Sequence, residues 1–600
     1  MPALFGELNR AVTPSLDAMQ IALRHRLPEA TRVDLSGTSL AADRFVQTRD
    51  WVVALEGMLV RPSRGQPAPT LELVAQAIQD RGPRDALASL DGTWALFAFN
   101  RRTKQLWLAR DATGQRSLFY ARTPTGLVFA SEAKALIARG QIDMSLDELA
   151  LARYLSCAYL PGESTLLRGV KEVPPGVLIA FDSEREIVRH ELWVPVEPSD
   201  VAEREQAIRA DSSAAAPYVR DLRSTLEEVI DGYLEASDAL GPPRAFLSGG
   251  VDSSLVVALA AKLGRPPHCY SISFGPDLPN ELEYSGMVAR HVGVPHEVVE
   301  IRPDAMVSVL EETIYFLDDP IGDPLTVPNY LISRTASQAG ARRVLNGEGG
   351  DPCFGGPKNI PMLLSEWYAQ PTPLSREKAY LRSYQKLYED LPTLLRNDVL
   401  SRATARDSIE AFLSPFFDDP THQSFLNKLQ RMNLVLKGGN NILLKVERIY
   451  GRHGLMPLSP LFDRRVAERA WQSPPGLKLR GNIEKWVLKE AVRDVLPLPI
   501  LERKKSGMLV PVHPWFQGDL KGYAAELLGQ PSIEKRGLFN PNAVAEMRKY
   551  RGATTVRGFY GAKLWLLLTL EMWMRLFVDG EARKYQQAHP RWNVLSMGQD

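Results

Sequence analysis

Three cysteines in 600 residues, Cys157, Cys269 and Cys353, are too few, too far apart and odd in number for a disulfide framework or a C-x-x-C metal site. A reducing cytoplasm is the expected location. A surplus of charge is also missing: 72 Lys+Arg against 71 Asp+Glu leave a formal net charge of +1. No nucleic-acid partner is expected without a basic footprint. The nine histidines form no H-x-x-x-H spacing, which argues against a structural zinc. No apolar run is long enough for a membrane span. The best candidate, "LWLLLTLEMWMRLF" (Leu564 to Phe577), is 14 residues long and interrupted by Glu571 and Arg575, so it reads as a buried helix with Trp565 and Trp573 in the core. The opening "MPALFGELNR" has no basic n-region leading into an apolar stretch, and neither a signal peptide nor a membrane partner is expected.

What is present is length and two textures. Six hundred residues exceed one hydrophobic core. From Trp51 to Ser131 short β-like runs ("WVVALEGMLV", "TWALFAFNRRTKQLWLARDATG", "LFYARTPTGLVFAS") alternate with Asn, Arg, Thr and Gly tips, the texture of an antiparallel sheet, with a helix over Thr70 to Asp80 packed on it. Between Glu197 and Tyr218 apolar periodicity fades as in a linker, so the domains are expected at 1–205 and 206–600. Beyond Pro217 strands "RAFLS", "HCYSISF", "HEVVEI" and "RRVLN" alternate with helices near 252–263, 281–292, 304–317 and 326–339. Crossovers of that length build a parallel sheet with helices on both faces, an α/β doubly wound domain. Residues 360–600 read as a mostly helical extension.

The first strand runs into "LSGGVDSS" (Leu247 to Ser254) and then a helix. Ser248, Gly249 and Gly250 form a tight turn, and the helix N-terminus with Ser253 and Ser254 offers donors to an anion. A Walker loop would carry lysine here; this one carries Asp252, which suits phosphates only with a cation such as Mg²⁺ between them. A plain capped βα joint would need only part of this pattern. The fourth strand runs into "VLNGEGGDPCFGGPKN" (Val344 to Asn359), where Gly347 permits close approach and Glu348 and Asp351 supply one carboxylate for proton handling and one for metal. Cys353, between Pro352 and Phe354, reads as packing.

The first loop resembles the pyrophosphate loop of N-type ATP pyrophosphatases, and the second resembles L-S-G-E-G-S-D-E-x-F-G-G of asparagine synthetase B. "LDGTWALFAFNRRTKQLWLARDATGQRSLFY…FASEAKAL" (Leu90 to Leu136) is similar to that family's N-terminal amidotransferase domain. "TLLRGVKEVPPG" (Thr165 to Gly176), "PLFD" (Pro460 to Asp463) and "LERKKSGM" (Leu501 to Met508) follow in the family's order. The resemblance covers nearly the whole chain. It implies an Ntn-type N-terminal domain and a pyrophosphatase-type C-terminal one. It also implies ATP and pyrophosphate contacts at Leu247, Ser248, Gly249, Gly250, Asp252, Ser253, Ser254 and Gly347, with Phe274 near the adenine. Asp252 and Asp351 inherit the Mg²⁺ ligands, Glu348 the acid beside the attacking amine, and Lys505 the cation on the developing charge.

Departures from the family pattern narrow the reaction. The family's N-terminal cysteine has no counterpart in Met1-Pro2-Ala3. Its glutamine clamp N-G-E-I-Y-N reads Glu56-Gly57-Met58-Leu59-Val60-Arg61, its G-S-D reads Ala68-Pro69-Thr70, and "RHRLPEA" (Arg24 to Ala30) keeps a trace of R-H-R-G-P-D. The N-terminal domain is therefore expected to be degenerate, without glutaminase activity. E-A-R-V-P-F-L-D reads Met456 to Asp463, without the glutamate and arginine of a free amino-acid site. The amine is then expected from the substrate itself. β-Lactam synthetases place a tyrosine at the position of Glu348, whereas "LNGEGGDPCFGGPKN" and "NLVLKGGNNILLKVER" (Asn433 to Arg448) are most similar to lasso peptide cyclases. That branch implies adenylation of an Asp or Glu side chain of a precursor peptide, macrolactam closure by the peptide's N-terminal amine, and a leader peptidase as partner. The rival expectations are an ammonia-dependent or β-lactam-type amide ligase on a small substrate, and a pseudoenzyme scaffold.

Overall fold

The computed structural model describes residues 3–9, 16–35, 37–278, 280–356, 359–368, 372–503, 508–549 and 559–586. The N-terminal part is a pair of six-stranded antiparallel sheets stacked face to face. One has Phe5–Asn9 between Thr38–Ala42 and Gly126–Ala130; the other has Gly92–Asn100 between Trp51–Leu59 and Gln105–Arg110. Period-2 alternation turns Leu8, Leu40, Val52, Phe97, Phe99, Phe129 and Ile179 into one shared interior, with Phe97 and Phe129 edge to face at 5.1 Å. Helices cover both outer faces. Leu71–Arg81, capped by Thr70, buries Val74 and Ile78 against Trp51 and Trp94. On the opposite face Asp17–Leu23 and Ala133–Arg139 bury Met19, Leu23 and Leu136 in a core that continues into the C-terminal half through Ile314, Tyr315 and Trp573.

The C-terminal sheet is parallel, in the order His296–Glu300, His268–Ser273, Arg244–Phe246, Arg343–Leu345, Met456–Leu458. Four strands are those expected. The fifth is three residues long with Pro457 in its middle, a pattern that does not read as a strand. As a sheet-edge strand it needs no ladder bond from Pro457 on its outer side. The chain winds one way from Arg244–Phe246 to His296–Glu300 and then returns to the other side at Arg343–Leu345. The crevice between Arg244–Phe246 and Arg343–Leu345 is thus the topological switch point, where ligands of such sheets bind.

The stretch expected as a linker is helical instead: Val201–Ala210, a 3₁₀ turn Ser212–Ala215, then the 21-residue helix Ala216–Ala236. Two buried residues seven apart, Val201 and Ile208, suffice to dock the first helix, too few to register as periodicity. The apolar run near the C-terminus forms the helix Phe559–Trp573, continued by a π-helical turn Met574–Val578, with Glu571 3.0 Å from both Arg536 and Arg575. Among the described residues no helix is long and apolar enough to cross a membrane.

A buried ion network joins the two halves. Arg26 pairs with Glu56, with Glu132 at 3.1 Å and with Glu447 at 3.2 Å; Arg448 reaches Glu132 at 3.0 Å, and Glu447 accepts from the Ser117 amide and hydroxyl at 2.9 and 2.6 Å. His25 lies 3.2 Å from Glu132 and edge-on to Phe316. Burial pushes the His25 imidazole from 6.5 down to about 4, with Lys134 and Arg26 adding to burial and Glu132 opposing it. The unfolded chain therefore takes up a proton near pH 6.5 that the folded chain refuses until about pH 4, and stability is lost as pH falls across that window. A depression of that size corresponds to about 3 kcal/mol. Denaturant unfolding of wild type and His25→Gln at pH 7 and pH 4 should show the variant losing about 2–3 kcal/mol less over the interval. Equal losses would place the acid sensitivity elsewhere.

Candidate active site

The first loop is fastened from both ends. Leu247 is buried; its amide donates to Tyr270 O at 2.9 Å and its carbonyl accepts from the Ser271 hydroxyl. Ser253 Oγ accepts from the Ser248 amide at 3.2 Å and lies 3.1 Å from Ser248 Oγ, while the Gly250 amide donates to Ser248 Oγ at 3.3 Å. The Ser254 amide opens the helix Val251–Lys262 by donating to Gly250 O at 3.0 Å, and among the described residues its buried hydroxyl has no partner. Gly249 has φ +74, and a Cβ there would come 2.5 Å from the Ser285 amide nitrogen. Only glycine suits that position.

The second loop interlocks with the first. A Cβ on Gly347 would overlap the Ser253 amide nitrogen, and one on Gly350 would overlap the Asp252 carboxylate. Asn346 sets the loop's exit: its amide donates to Leu458 O at 3.0 Å, its Nδ2 to Ser459 Oγ at 2.9 Å, and its Oδ1 accepts from the Glu348 amide at 3.1 Å. The short helix Gly350–Phe354 then carries Asp351. Asp252 and Asp351, 99 residues apart in sequence, meet on one ammonium: Lys485 Nζ is 2.5 Å from Asp252 Oδ2 and 2.5 Å from Asp351 Oδ1. Burial disfavours that charge, but the two carboxylates outweigh it and hold the Lys485 ammonium above its ordinary range. Lys485 sits in the left-handed region at φ 56, heading the helix Trp486–Ala491. A non-glycine residue in this region is strained, and the two ion pairs hold it there.

Sequence reasoning missed Lys485. In "GNIEKWVLKE" it reads as one more charged residue after a hairpin tip, and only the fold brings it to the two aspartates. Lys505, with Lys504, lies outside the described residues. Arg503 is described: it donates to Gly249 O at 3.1 Å, pairs with Glu281 and lies 4.0 Å over the Tyr284 ring, so Arg503 itself abuts the first loop.

Glu348 is half-buried and faces basic company. It acts with Asp323 in holding the buried Lys445 ammonium above its ordinary range against the effect of burial, and with burial in raising the Tyr450 hydroxyl well above its usual value. Phe274 is buried edge-to-face on Trp515 at 5.8 Å. Cys353 packs with its thiol 3.4 Å from Leu461 O, pushed up to about 12 by burial, as its flanking residues suggest. Asp463 lies outside the crevice. It caps the helix Arg464–Gln472 and holds Arg465 at 2.9 Å beside Asp91 of the N-terminal sheets.

In a comparison with known families, the profile described as Asparagine synthase matches residues 221–575 and that described as Glutamine amidotransferase domain matches residues 67–193. The chain is 22% identical over 539 residues to asparagine synthetase [glutamine-hydrolyzing] 1 of Bacillus subtilis (strain 168), covering 85% of this chain and 82% of that one. Asparagine synthetase [glutamine-hydrolyzing] 3 of the same organism is 24% identical, covering 80% and 76%. Amidase chry2 of Gibberella zeae is 24% identical, covering 77% and 75%.

Removing Lys485 leaves two half-buried carboxylates facing each other. Lys485→Met should destabilise the protein by about 1–3 kcal/mol, with Mg²⁺ raising the variant's melting temperature more than that of wild type. Thermal unfolding with and without Mg²⁺ checks this; a variant as stable as wild type would contradict it.

Proposed function

Because the chain belongs to the asparagine synthase family and is an ATP-dependent carbon–nitrogen ligase, we propose that it closes a ring within a peptide. In this reading it joins an Asp or Glu side-chain carboxylate of a precursor peptide to that peptide's N-terminal amine, as lasso peptide cyclases do. One observation carries the ring-closing part. Glu56, where the family's glutamine clamp would stand, is buried in a pair with Arg26 and accepts from Ser131, and the N-terminal sheets hold no cysteine. With that region given over to an internal ion network, the nitrogen comes from the substrate.

Mg²⁺ fits the donor set. Two carboxylates converge on one cationic nitrogen, and among the described residues no group of three or more His, Cys, Asp or Glu surrounds it. One or two carboxylates are the protein donors that Mg²⁺ usually takes beside a phosphate ligand. Asp252 and Asp351 would hold the ion, which supplies charge neutralisation along the triphosphate. Ser248, Gly249, Gly250, Ser253 and Ser254 grip the β and γ phosphates, Gly347 and Phe274 line the nucleotide, and Lys485 adds a fixed positive charge. The peptide carboxylate oxygen attacks the α-phosphorus, the bond from that phosphorus to the bridging oxygen breaks, and pyrophosphate leaves. The N-terminal amine then attacks the acyl carbon, Glu348 takes its proton, and the carbon–oxygen bond to AMP breaks, with Lys505 offsetting charge on the departing groups. Holding amine and acyl carbon together supplies the ordering that ring closure needs. A leader peptidase that frees the N-terminal amine is the partner this reading requires.

Incubation with ATP, Mg²⁺ and a leaderless peptide should give a product lighter by one water together with AMP; ADP would contradict the reading. Asp351→Ala should lower the rate by about 100-fold or more. Exchange of labelled pyrophosphate into ATP should depend on a peptide carboxylate. Exchange driven by aspartate alone would point to the asparagine-forming alternative, and an Asp351→Ala protein that still supports product formation in cells would point to a scaffold.

A further inference from the structure

Arg503 ties the first loop to the helix that backs it. A Cβ added to Gly249 would lie 2.5 Å from the Ser285 amide nitrogen and 2.6 Å from Tyr284 Cβ, so the glycine turn rests directly on the first turn of the helix Leu282–Val292. Glu281, the residue before that helix, pairs with Arg503, and the Tyr284 ring centre lies 4.0 Å from the guanidinium carbon. The third contact of the guanidinium is the loop itself, where Arg503 Nη1 donates to Gly249 O at 3.1 Å. Both charged side chains are mostly buried. Because Glu281 offsets the positive charge at such short range, what Arg503 gives the loop is a fixed direction for one carbonyl rather than a field.

That direction decides which way the next amide faces. In a trans peptide the C=O and N–H point opposite ways. With the Gly249 carbonyl drawn to Arg503, the Gly250 amide turns the other way and donates to Ser248 Oγ at 3.3 Å, beside the Ser253 hydroxyl. An anion on that side meets amide and hydroxyl donors together. Steric cost does not hold this peptide, because both its residues are glycine. Gly249 has φ +74, and Gly250 has φ −75 and ψ 155. Turning the peptide over would carry Gly250 to positive φ, which glycine tolerates and side chains resist, and would aim a carbonyl oxygen at the anion in place of a donor. An alanine at 250 fits the orientation seen: among the described residues its Cβ would meet only Ser248 Oγ, at 3.4 Å.

We propose that Arg503 is a positioning residue for pyrophosphate: anchored by Glu281 and Tyr284, it holds the Gly249 carbonyl away from the anion and so keeps the Gly250 amide turned toward it. The inference rests on the pyrophosphate reading of this loop and not on ring closure. Calorimetric titration of magnesium pyrophosphate into the intact protein tests it. Arg503→Met should weaken binding about tenfold or more, the competent peptide orientation falling to about one tenth of the molecules. In a Gly250→Ala background the same substitution should cost no more than about twofold, because alanine bars the flipped peptide. An equal cost in both backgrounds would overturn the proposal, since a general structural role or a direct charge on the anion predicts it. Glu281→Gln reads the sign. Loss of the anchor should weaken pyrophosphate binding, whereas an arginine acting through its charge would gain affinity once its counter-ion is gone, and tighter binding would overturn the proposal. Ligand-free crystal structures of wild type and Arg503→Met separate this claim from the pyrophosphate reading. The variant should show the Gly249 carbonyl turned to the Ser253 side in most molecules. An unmoved carbonyl would overturn the lock even where pyrophosphate binds; a turned carbonyl in a protein whose wild type binds no pyrophosphate would sink the pyrophosphate reading and leave the lock standing.

Discussion

The Lys485 ammonium shared by Asp252 and Asp351 is the interaction on which the crevice depends. Two glycine loops leave neighbouring parallel strands and are pressed together until Gly347 lies on the Ser253 amide and Gly350 on the Asp252 carboxylate. That approach brings two half-buried carboxylates to one point, which is costly unless a cation stands between them. Lys485 meets this need, and its strained backbone is the local expense of doing so. The same geometry explains the absence of a lysine within the first loop. Positive charge comes from a distant helix instead.

The N-terminal half bears on function through what occupies it. Arg26, Glu56, Glu132, Glu447 and Arg448 form a nearly solvent-free network across the junction of the two halves, and Ser117 and Ser131 complete it. Breaking one member strands the others in a low-dielectric interior, so the halves are coupled as a unit.

Much of the architecture was legible in the sequence because it rests on periodicity. Alternation from Trp51 to Ser131 gave the stacked sheets, and four of the five parallel strands announced themselves as apolar runs before glycine turns or helices. Failures came where few residues carry an element. Met456–Leu458 is a three-residue strand with a proline, and Val201–Ala210 docks on two side chains. That Asp252 and Asp351 lie in two facing loops was legible because glycine and acid spacing is a local signal. Lys485 was not, since it lies in unremarkable local sequence and meets the two aspartates only through the fold.

The central claim is that the crevice is a pyrophosphate cradle closed by Mg²⁺ on Asp252 and Asp351. Calorimetric titration with pyrophosphate, with and without Mg²⁺, on wild type and on the Asp252→Asn and Asp351→Asn variants tests it without needing the acid substrate. The account predicts one site that requires Mg²⁺, binds inorganic phosphate at least about 100-fold more weakly, and is lost in both variants. Pyrophosphate binding that is indifferent to Mg²⁺ and to both substitutions would contradict it.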